Sequence, residues 1–435
     1  MNIILLSGGS GKRLWPLSND IRSKQFIKIF NGENGKRESM AQRMCRQILK
    51  SDPKADITIA TSKSQISAIH NQLGDDVSVC AEPCRRDTFP AIALSTAYLH
   101  DVKGISENET VVVCPVDPYV ESDYFDALKI LEEQAAKGEA NLILMGIEPT
   151  YPSEKYGYII PRGKEKVSSV ESFKEKPDAA AARKYIERGA LWNGGVFAYR
   201  IGYVLSKAHE LIDFNSYYDL YDKYTTLNKI SFDYAVVENE PYIQVMRFSG
   251  QWKDLGTWNT LTEAMEDSCI GTAILNEKCE NVHVVNELDM PILCMGLKDI
   301  VVSASPEGIL VSDKEQSSYI KPYVDGIDRQ VMFAEKSWGD YKVIDVGADS
   351  LTVKIILNPG QSMSYHSHAR RDEVWTVIRG EGRVVKDGAV RLVRAGDVVN
   401  MPAGCKHTIE AITELNVIEV QIGKDIDVRD KVKYD

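Results

Sequence analysis

Two groups of residues in this 435-residue chain have the types and spacing to do chemistry. Near the amino terminus, Gly8, Gly9 and Gly11 follow the apolar run NIILL and lead into Arg13 and, eleven residues further, Lys24. A backbone without Cβ atoms turns sharply and brings its N–H groups close to an anion, and a phosphate chain is the obvious guest. Near the other end stand His366, His368, Glu373 and His407. A strand puts residues i and i+2 on one face, so His366 and His368 point together. With Glu373 and His407 they make a three-histidine, one-carboxylate set. It suits Zn2+, Fe2+, Mn2+ or Ni2+ and leaves room for a water or substrate oxygen.

The elements that must position these groups are legible as texture. From Met1 to about Met265 the apolar runs NIILLS, ITIAT, VSVCAE, TVVVCPVD, LILMGI and GYII alternate with helix-like stretches such as SMAQRMCRQILKSD and YFDALKILEEQAAKGEA. That alternation predicts βαβ units around a mostly parallel α/β sheet, whose sites lie at the carboxyl ends of strands. The glycine loop falls at one such end and Asp117, in PVDPY, at another. Residues 266–325 change to short β-like pieces (NVHVV, PILCMG, DIVVSAS, GILVSD), a small β connector. Residues 326–435 hold many short strands between tight Gly turns, the pattern of a β-barrel or jelly roll. Three domains follow: 1–265, 266–325 and 326–435.

Bulk composition narrows the function. With 43% hydrophobic and 26% charged residues the chain can bury a sizeable core. A net charge of −11 opposes nucleic-acid binding, which relies on a broad basic surface. No apolar stretch approaches the roughly 20 residues of a membrane helix. Eight scattered cysteines without a CxxC pair, and no signal-like segment before Asn2, give the expectation of reduced thiols in a cytoplasmic protein.

The glycine loop fits neither the Rossmann fingerprint, because Lys12, Arg13, Trp15 and Pro16 follow it, nor a P-loop, because no GK[ST] closes it. SGGSGKRLWPLSNDIRSKQF instead resembles the signature GGxGxRLWPLS…KQF of sugar nucleotidyltransferases, in particular the mannose-1-phosphate guanylyltransferases. The similarity continues in order through EPCRRDTFPAIAL, CPVDPYV, YGYI, FKEKPD, WNGGVF and FSGQWKDLGTW. The resemblance implies a Rossmann-like, GT-A-like mixed sheet in which Gly8, Gly9 and Gly11 cradle a nucleoside triphosphate. It implies that Arg13 and Lys24 neutralise charge during attack at the α-phosphorus, and that Asp117 and Asp254 hold Mg2+. It also implies that Glu175, Lys176 and Asn193 bind the sugar phosphate. Two anionic substrates repel each other, which is why cations and positioning are the chemistry required. Four positions depart from the family pattern: Asn19 stands for Arg, Ser23 for Pro, Pro118 for His and Gly194 for Ser.

The spacing Gly360, five residues, His366, one, His368, four, Glu373, six, Gly380, and then Gly396, five, Pro402, one, Gly404, two, His407, is that of the two cupin motifs. The order nucleotidyltransferase, β connector, cupin resembles the long bifunctional guanylyltransferases, whose cupin interconverts mannose 6-phosphate and fructose 6-phosphate. His366 stands where that isomerase has Gln, and the tail VQIGKDIDVRDKVKYD lacks its longer ending with a terminal Arg. The leading expectation is Mg2+-dependent joining of GTP and α-D-mannose 1-phosphate into GDP-mannose and pyrophosphate. The alternatives are another hexose or heptose 1-phosphate or another nucleotide, an added cupin isomerase, and a sensor that binds a sugar nucleotide without turnover. The pattern is compatible with a homodimer.

Overall fold

The structure is a computed structural model that describes the chain except residues 10, 11, 20, 34, 328, 329, 425, 427–429 and 435, so Gly11 of the glycine loop lies outside the described residues. The chain forms two compact units. One contains Met1–Gly9, Gln25–Ile66 and Leu73–Gly256, and the other contains Ser10–Lys24, Ser67–Gln72 and Thr257–Asp435. No helix among the described residues is long and apolar enough to cross a membrane.

The first unit carries β1 (Asn2–Ser7), β2 (Lys28–Asn31), β3 (Arg37–Ser39), β4 (Asp56–Ser62), β5 (Ser78–Glu82), β6 (Thr110–Pro115), β7 (Pro118–Val120), β8 (Leu142–Ile147), β9 (Tyr158–Pro161), β10 (Val167–Lys174), β11 (Leu191–Arg200), β12 (Ile243–Phe248) and β13 (Trp252–Asp254). Nine of them form one sheet in the order β5-β4-β1-β6-β11-β8-β12-β10-β9. The β5-β4-β1-β6 half is parallel, as the alternation predicts. Beyond it β11 runs antiparallel to both β6 and β8, and β10 antiparallel to β9 and β12, so the sheet is mixed. The central strands are continuous apolar runs because both faces are covered; Ile3, Ile4, Leu5 and Val111–Val113 are fully buried. The helix Thr88–Ala97 is buried along almost its whole length, which explains why its sequence is apolar all round. The helix Met40–Ser51 begins in a capping box between Ser39 and Gln42.

The strand order reverses at β1 and β6, the place where an open α/β sheet leaves a crevice outside its strand ends. Leu6 pairs with Pro115, and the Val116 N–H extends the ladder to the Leu6 carbonyl at 3.1 Å. Gly8 and Asp117 therefore leave adjacent strands at the same end.

In the second unit the connector comprises β14 (Cys269–Ile270), β15 (Ala273–Leu275), β16 (His283–Asn286), β17 (Ile292–Cys294), β18 (Ile300–Ser305) and β19 (Gly308–Asp313). Its β14–β16, β16–β18 and β15–β17 pairs are parallel, as in a coiled β-helix, and β19 closes it antiparallel to β18. A cupin follows, built from β20 (Phe333–Lys336), β21 (Gly339–Val346), β22 (Ser350–Leu357), β23 (His366–His368), β24 (Asp372–Arg379), β25 (Glu381–Lys386), β26 (Ala389–Arg394), β27 (Val398–Met401), β28 (His407–Ala411), β29 (Leu415–Ile422) and β30 (Lys431–Lys433). Its sheets run β20-β21-β22-β29-β24-β27 and β26-β25-β28-β23-β30. Between them Val353, Ile355, Leu357, Trp375, Val377, Ile409 and Val417 form the core.

Candidate active site and metal centre

The glycine loop leaves β1 with Gly9 at φ +102°, a conformation that disfavours any side chain. A Cβ at Gly8 or Gly9 would meet no heavy atom within 4 Å, so the backbone here faces open space. The Arg85 guanidinium donates to the Gly9 carbonyl at 3.2 Å. Arg85 belongs to EPCRRDT, a motif to which the sequence reading assigned no role. Asp117 stands just beyond β6. The next residues form β7, which pairs antiparallel with β13 so that Asp254 lies across from Pro118. Two residues distant in sequence, Asp117 just before the short ladder and Asp254 at its end, thus meet one ladder at the carboxyl end of the central strands. Pro118, one of the four departures, is a ladder residue between them. Arg13, on the 3-10 turn Lys12–Leu14, and Lys24, the first residue of the turn Lys24–Phe26, are assigned to the other compact unit.

Glu175, Lys176 and Asn193 come together around Gly157 of YGYI. Tyr158 pairs with Lys174 and with Trp192, and the Asn193 N–H donates to the Gly157 carbonyl at 2.8 Å. Glu175 packs so closely on Gly157 that a Cβ there would come within 2.6 Å of Glu175 Oε2. Lys176 Nζ lies 2.7 Å from Glu175 Oε1, and Lys176 itself takes φ +42°. In WNGGVF the register of β11 on β8 shifts between Asn193 and Phe197, with Gly195 at φ +68° inside the bulge. A Cβ at Gly194 would press on Ile147 Cγ1 at 3.1 Å, which gives a packing reason for Gly at that departure.

The sequence reading missed Asp233. Its Oδ1 accepts from Asn193 Nδ2 at 2.6 Å, and Gly195 N–H donates to Asn193 Oδ1 at 3.1 Å, so the amide orientation is fixed from both sides. Burial pushes the Asp233 carboxyl up to about 6, and the Glu175 charge adds to the shift. A signal existed in Ser231, which caps the helix Phe232–Ala235 and so holds the acid at a helix start. Nothing in the sequence linked that turn to Asn193. Tyr156 lies between Trp192 (4.9 Å between centroids) and Trp252 (5.6 Å), and burial followed by the Asp254 charge raises its phenol.

In the cupin, His366, His368, Glu373 and His407 are all buried, and one ligand atom from each lies within 4.8 Å of the others. His366 and His407 are direct cross-strand partners of β23 and β28, and Glu373 projects from β24. Each histidine has its Nδ1 against a main-chain carbonyl: His366 on Ser364 at 2.7 Å, His368 on Asp430 at 3.0 Å and His407 on Cys405 at 3.0 Å. That arrangement puts the proton on Nδ1 and leaves the Nε2 lone pairs for a ligand. His407 Nε2 is buried without a hydrogen bond, 3.2 Å from Glu373 Oε2, an orphan that a bound metal ion would satisfy. Burial opposes the Glu373 charge, but the close approach of the His368 and His407 rings holds its carboxyl well below the usual range. Burial, reinforced by the Lys431 charge, pushes His366 down to about 3, the neutral state a metal ligand needs. The donor set therefore fits a divalent transition metal.

Around this cluster Arg371 donates to Glu373 Oε1 and reaches His368 Nε2, both at 3.1 Å, and Trp375 Nε1 donates to Glu373 Oε2 at 3.2 Å. The inward face of β29 changes from Leu415 and Val417 to Glu419 and Gln421, which are hydrogen-bonded to each other. Burial and then the Glu373 charge push Glu419 up to about 8. The tail folds back as β30, placing Lys431 across from His368 and Lys433 across from His366. None of Arg371, Glu419 or Lys431 was singled out from sequence.

The family model for Nucleotidyl transferase matches residues 2–269, and that for Mannose-6-phosphate isomerase C-terminal matches residues 328–435. The chain belongs to the nucleotidyl transferase family. This nucleotidyl transferase is 29% identical over 471 residues to the xanthan biosynthesis protein XanB of Xanthomonas campestris, covering 99% of this chain and 97% of that one. It is 27% identical over 474 residues to the mannose-1-phosphate guanylyltransferase of Escherichia coli K12, with the same coverage of each. Among solved structures it is similar to that described as a mannose-1-phosphate geranyltransferase from Thermus thermophilus. There the TM-score is 0.60 and the identity 28%, over 74% of this nucleotidyl transferase and 98% of that chain.

Proposed function

We propose that this chain joins GTP and α-D-mannose 1-phosphate to give GDP-mannose and pyrophosphate. The observation that carries this reading is that Asp117 directly precedes β7 while Asp254 pairs with Pro118 across the β7–β13 ladder, at the strand ends where the Gly8–Gly9 loop also leaves the sheet. Relatives named for this activity, matched over nearly their whole length, support the choice of substrates. Asp117 and Asp254 would hold Mg2+, which when bound draws charge from the phosphate oxygens. The main-chain groups of Gly8 and Gly9 receive the triphosphate, and Arg13 and Lys24 offset charge on the reacting phosphates. Glu175 accepts from sugar hydroxyls, Lys176 meets the sugar phosphate, and Asn193, held by Asp233, presents its amide to the ring. Transfer chemistry is assigned to residues 1–265, with 266–325 as connector and 326–435 as cupin. The test is pyrophosphate release across a panel of nucleotides and sugar 1-phosphates. GTP with mannose 1-phosphate should be fastest, and Lys24→Ala and Asp254→Ala should each abolish turnover in folded protein. A faster pair of another kind, or near-normal turnover in both variants, overturns the assignment.

A second reading concerns the cupin, where His366, His368, Glu373 and His407 would hold Zn2+, Fe2+, Mn2+ or Ni2+. Arg371 and Lys431 stand beside that cluster, as a hexose 6-phosphate isomerase would require for an anionic substrate. Metal-loaded protein should convert mannose 6-phosphate to fructose 6-phosphate; no product with any of the four metals removes this reading.

A further inference from the structure

The segment bearing Arg13 and Lys24 has almost no regular structure of its own. It consists of short turns closed by Leu17 N–H on the Leu14 carbonyl (3.0 Å) and Asn19 N–H on the Arg22 carbonyl (2.9 Å). Asn19 Oδ1 accepts from the Ile21 and Arg22 N–H groups at 2.8 and 2.7 Å, an Asx-type closure. Such a loop needs anchors from elsewhere, and within its own compact unit they come from Trp258, whose Nε1 donates to the Trp15 carbonyl at 3.0 Å, and above all from the connector and the first cupin strand.

Arg22 is buried, with a two-pronged ion pair to Glu287 beyond β16, both contacts 2.8 Å. Its guanidinium also lies 4.9 Å from the centre of the Phe333 ring. Asn19 Nδ2 donates to Glu307 Oε1 at 2.8 Å and to the Phe333 carbonyl at 2.9 Å. Glu307 Oε1, at the β18–β19 turn, also accepts from Met332 and Phe333 N–H groups at 2.8 and 3.1 Å. Ser305 Oγ donates to the Pro16 carbonyl at 2.6 Å. At Gly308, φ +151°, a Cβ would strike Trp15 Cζ2 at 2.5 Å. Every one of these anchors meets residues 15–22 and leaves Arg13 exposed at the surface of its unit. The departure at position 19 fits the same arrangement, because a short amide both closes the turn and reaches Glu307.

We infer that Glu287 and Glu307 are positioning residues for nucleotidyl transfer: they fix the loop through Arg22 and Asn19, and the loop in turn places Arg13 and Lys24. The connector is thereby part of the transferase machinery. This inference rests on the proposed guanylyltransferase reading for its catalytic consequence and on the loop's own order for its structural one, so two measurements separate them.

The experiment compares the full-length chain with Glu287→Ala, Glu307→Ala and Glu307→Gln. It measures hydrogen exchange of peptides spanning residues 12–24 and steady-state kinetics with GTP and mannose 1-phosphate. Both alanine variants should raise exchange in that segment at least about tenfold while the cupin peptides keep wild-type rates. They should lower kcat about tenfold to a hundredfold, with KM changed less than about threefold, as expected when distant support for charged groups is loosened. Glu307→Gln keeps the Oε1 acceptor and should retain wild-type exchange and most of kcat. Unchanged exchange in both alanine variants, or full kcat despite faster exchange, overturns the inference. A wild-type protein that releases no pyrophosphate defeats the functional reading alone, and the exchange comparison still decides the anchor. Should Glu287→Ala not fold, Arg22→Lys is expected to show the same exchange pattern in milder form.

Discussion

Replacing Glu82 by Gln should make the protein more stable at pH 8 and leave it nearly unchanged at about pH 4 or below. Glu82 ends β5, is 8% exposed, and accepts a hydrogen bond from Tyr224 Oη at 2.6 Å. Burial pushes its carboxyl from an ordinary 4.5 up to about 7; the Tyr224 hydrogen bond and the Arg85 charge pull back, and Asp87 adds to the rise. The native chain therefore keeps this proton to higher pH than the unfolded chain does. The stability linked to it is fully present below about pH 4.5 and is lost as pH rises through about 7. The gap corresponds to about 3 kcal/mol by pH 8. Gln has the same shape, never ionises, and its carbonyl still accepts from Tyr224. Calorimetric melting at about pH 4, 5, 6, 7 and 8 should show coincident transitions at the acid end of that series and a growing gap above it. At pH 8 the variant should melt about 6–12 °C higher in the transition of the unit that carries Glu82. A difference independent of pH, or a variant that is the less stable at pH 8, would refute the reasoning.

Gly157→Ala should raise KM for the sugar phosphate about tenfold or more while sparing KM for GTP, because the new methyl must displace Glu175 or Phe173, whose Cζ would lie 2.7 Å away. His407→Ala should reduce bound transition metal, by elemental analysis of the purified protein, from about one equivalent per chain to less than about a tenth. Equal metal content in the two proteins would remove the cupin metal claim.

Much of this arrangement was legible in the sequence, for reasons that differ from place to place. The half-sheet β5-β4-β1-β6 follows from strands and helices that alternate along the chain, and the crevice at the ends of β1 and β6, where the candidate site lies, follows from parallel pairing. The antiparallel insertion of β11 was not legible, because an apolar run carries no sign of its direction once it is buried on both faces. The His366, His368, Glu373 and His407 cluster was legible since His366 and His368 obey the two-residue period of a strand. Lys431 was not, because its role depends on a tail returning to pair with β23 some sixty residues earlier in the chain. Asp233 escaped for the same reason: it meets Asn193 only through tertiary packing, across 40 positions of sequence. Asn19 was visible only as a departure from a pattern, and its partners Glu307 and Phe333 lie 288 and 314 positions away.

The membership of residues 10–24 in the unit that contains Thr257–Asp435 bears on how this protein can be dissected. A fragment ending at Gly256 would retain the Arg22 guanidinium but lose the carboxylate that neutralises it and the ring beside it. A fragment starting at Thr257 would keep Glu287 and Glu307 without the strap they hold. Neither half is a fair stand-in for itself in the intact chain, because removing one partner of a buried ion pair is far more damaging than removing both. Autonomy, if it is to be engineered, has to begin by exchanging Arg22 and Glu287 together for apolar neighbours.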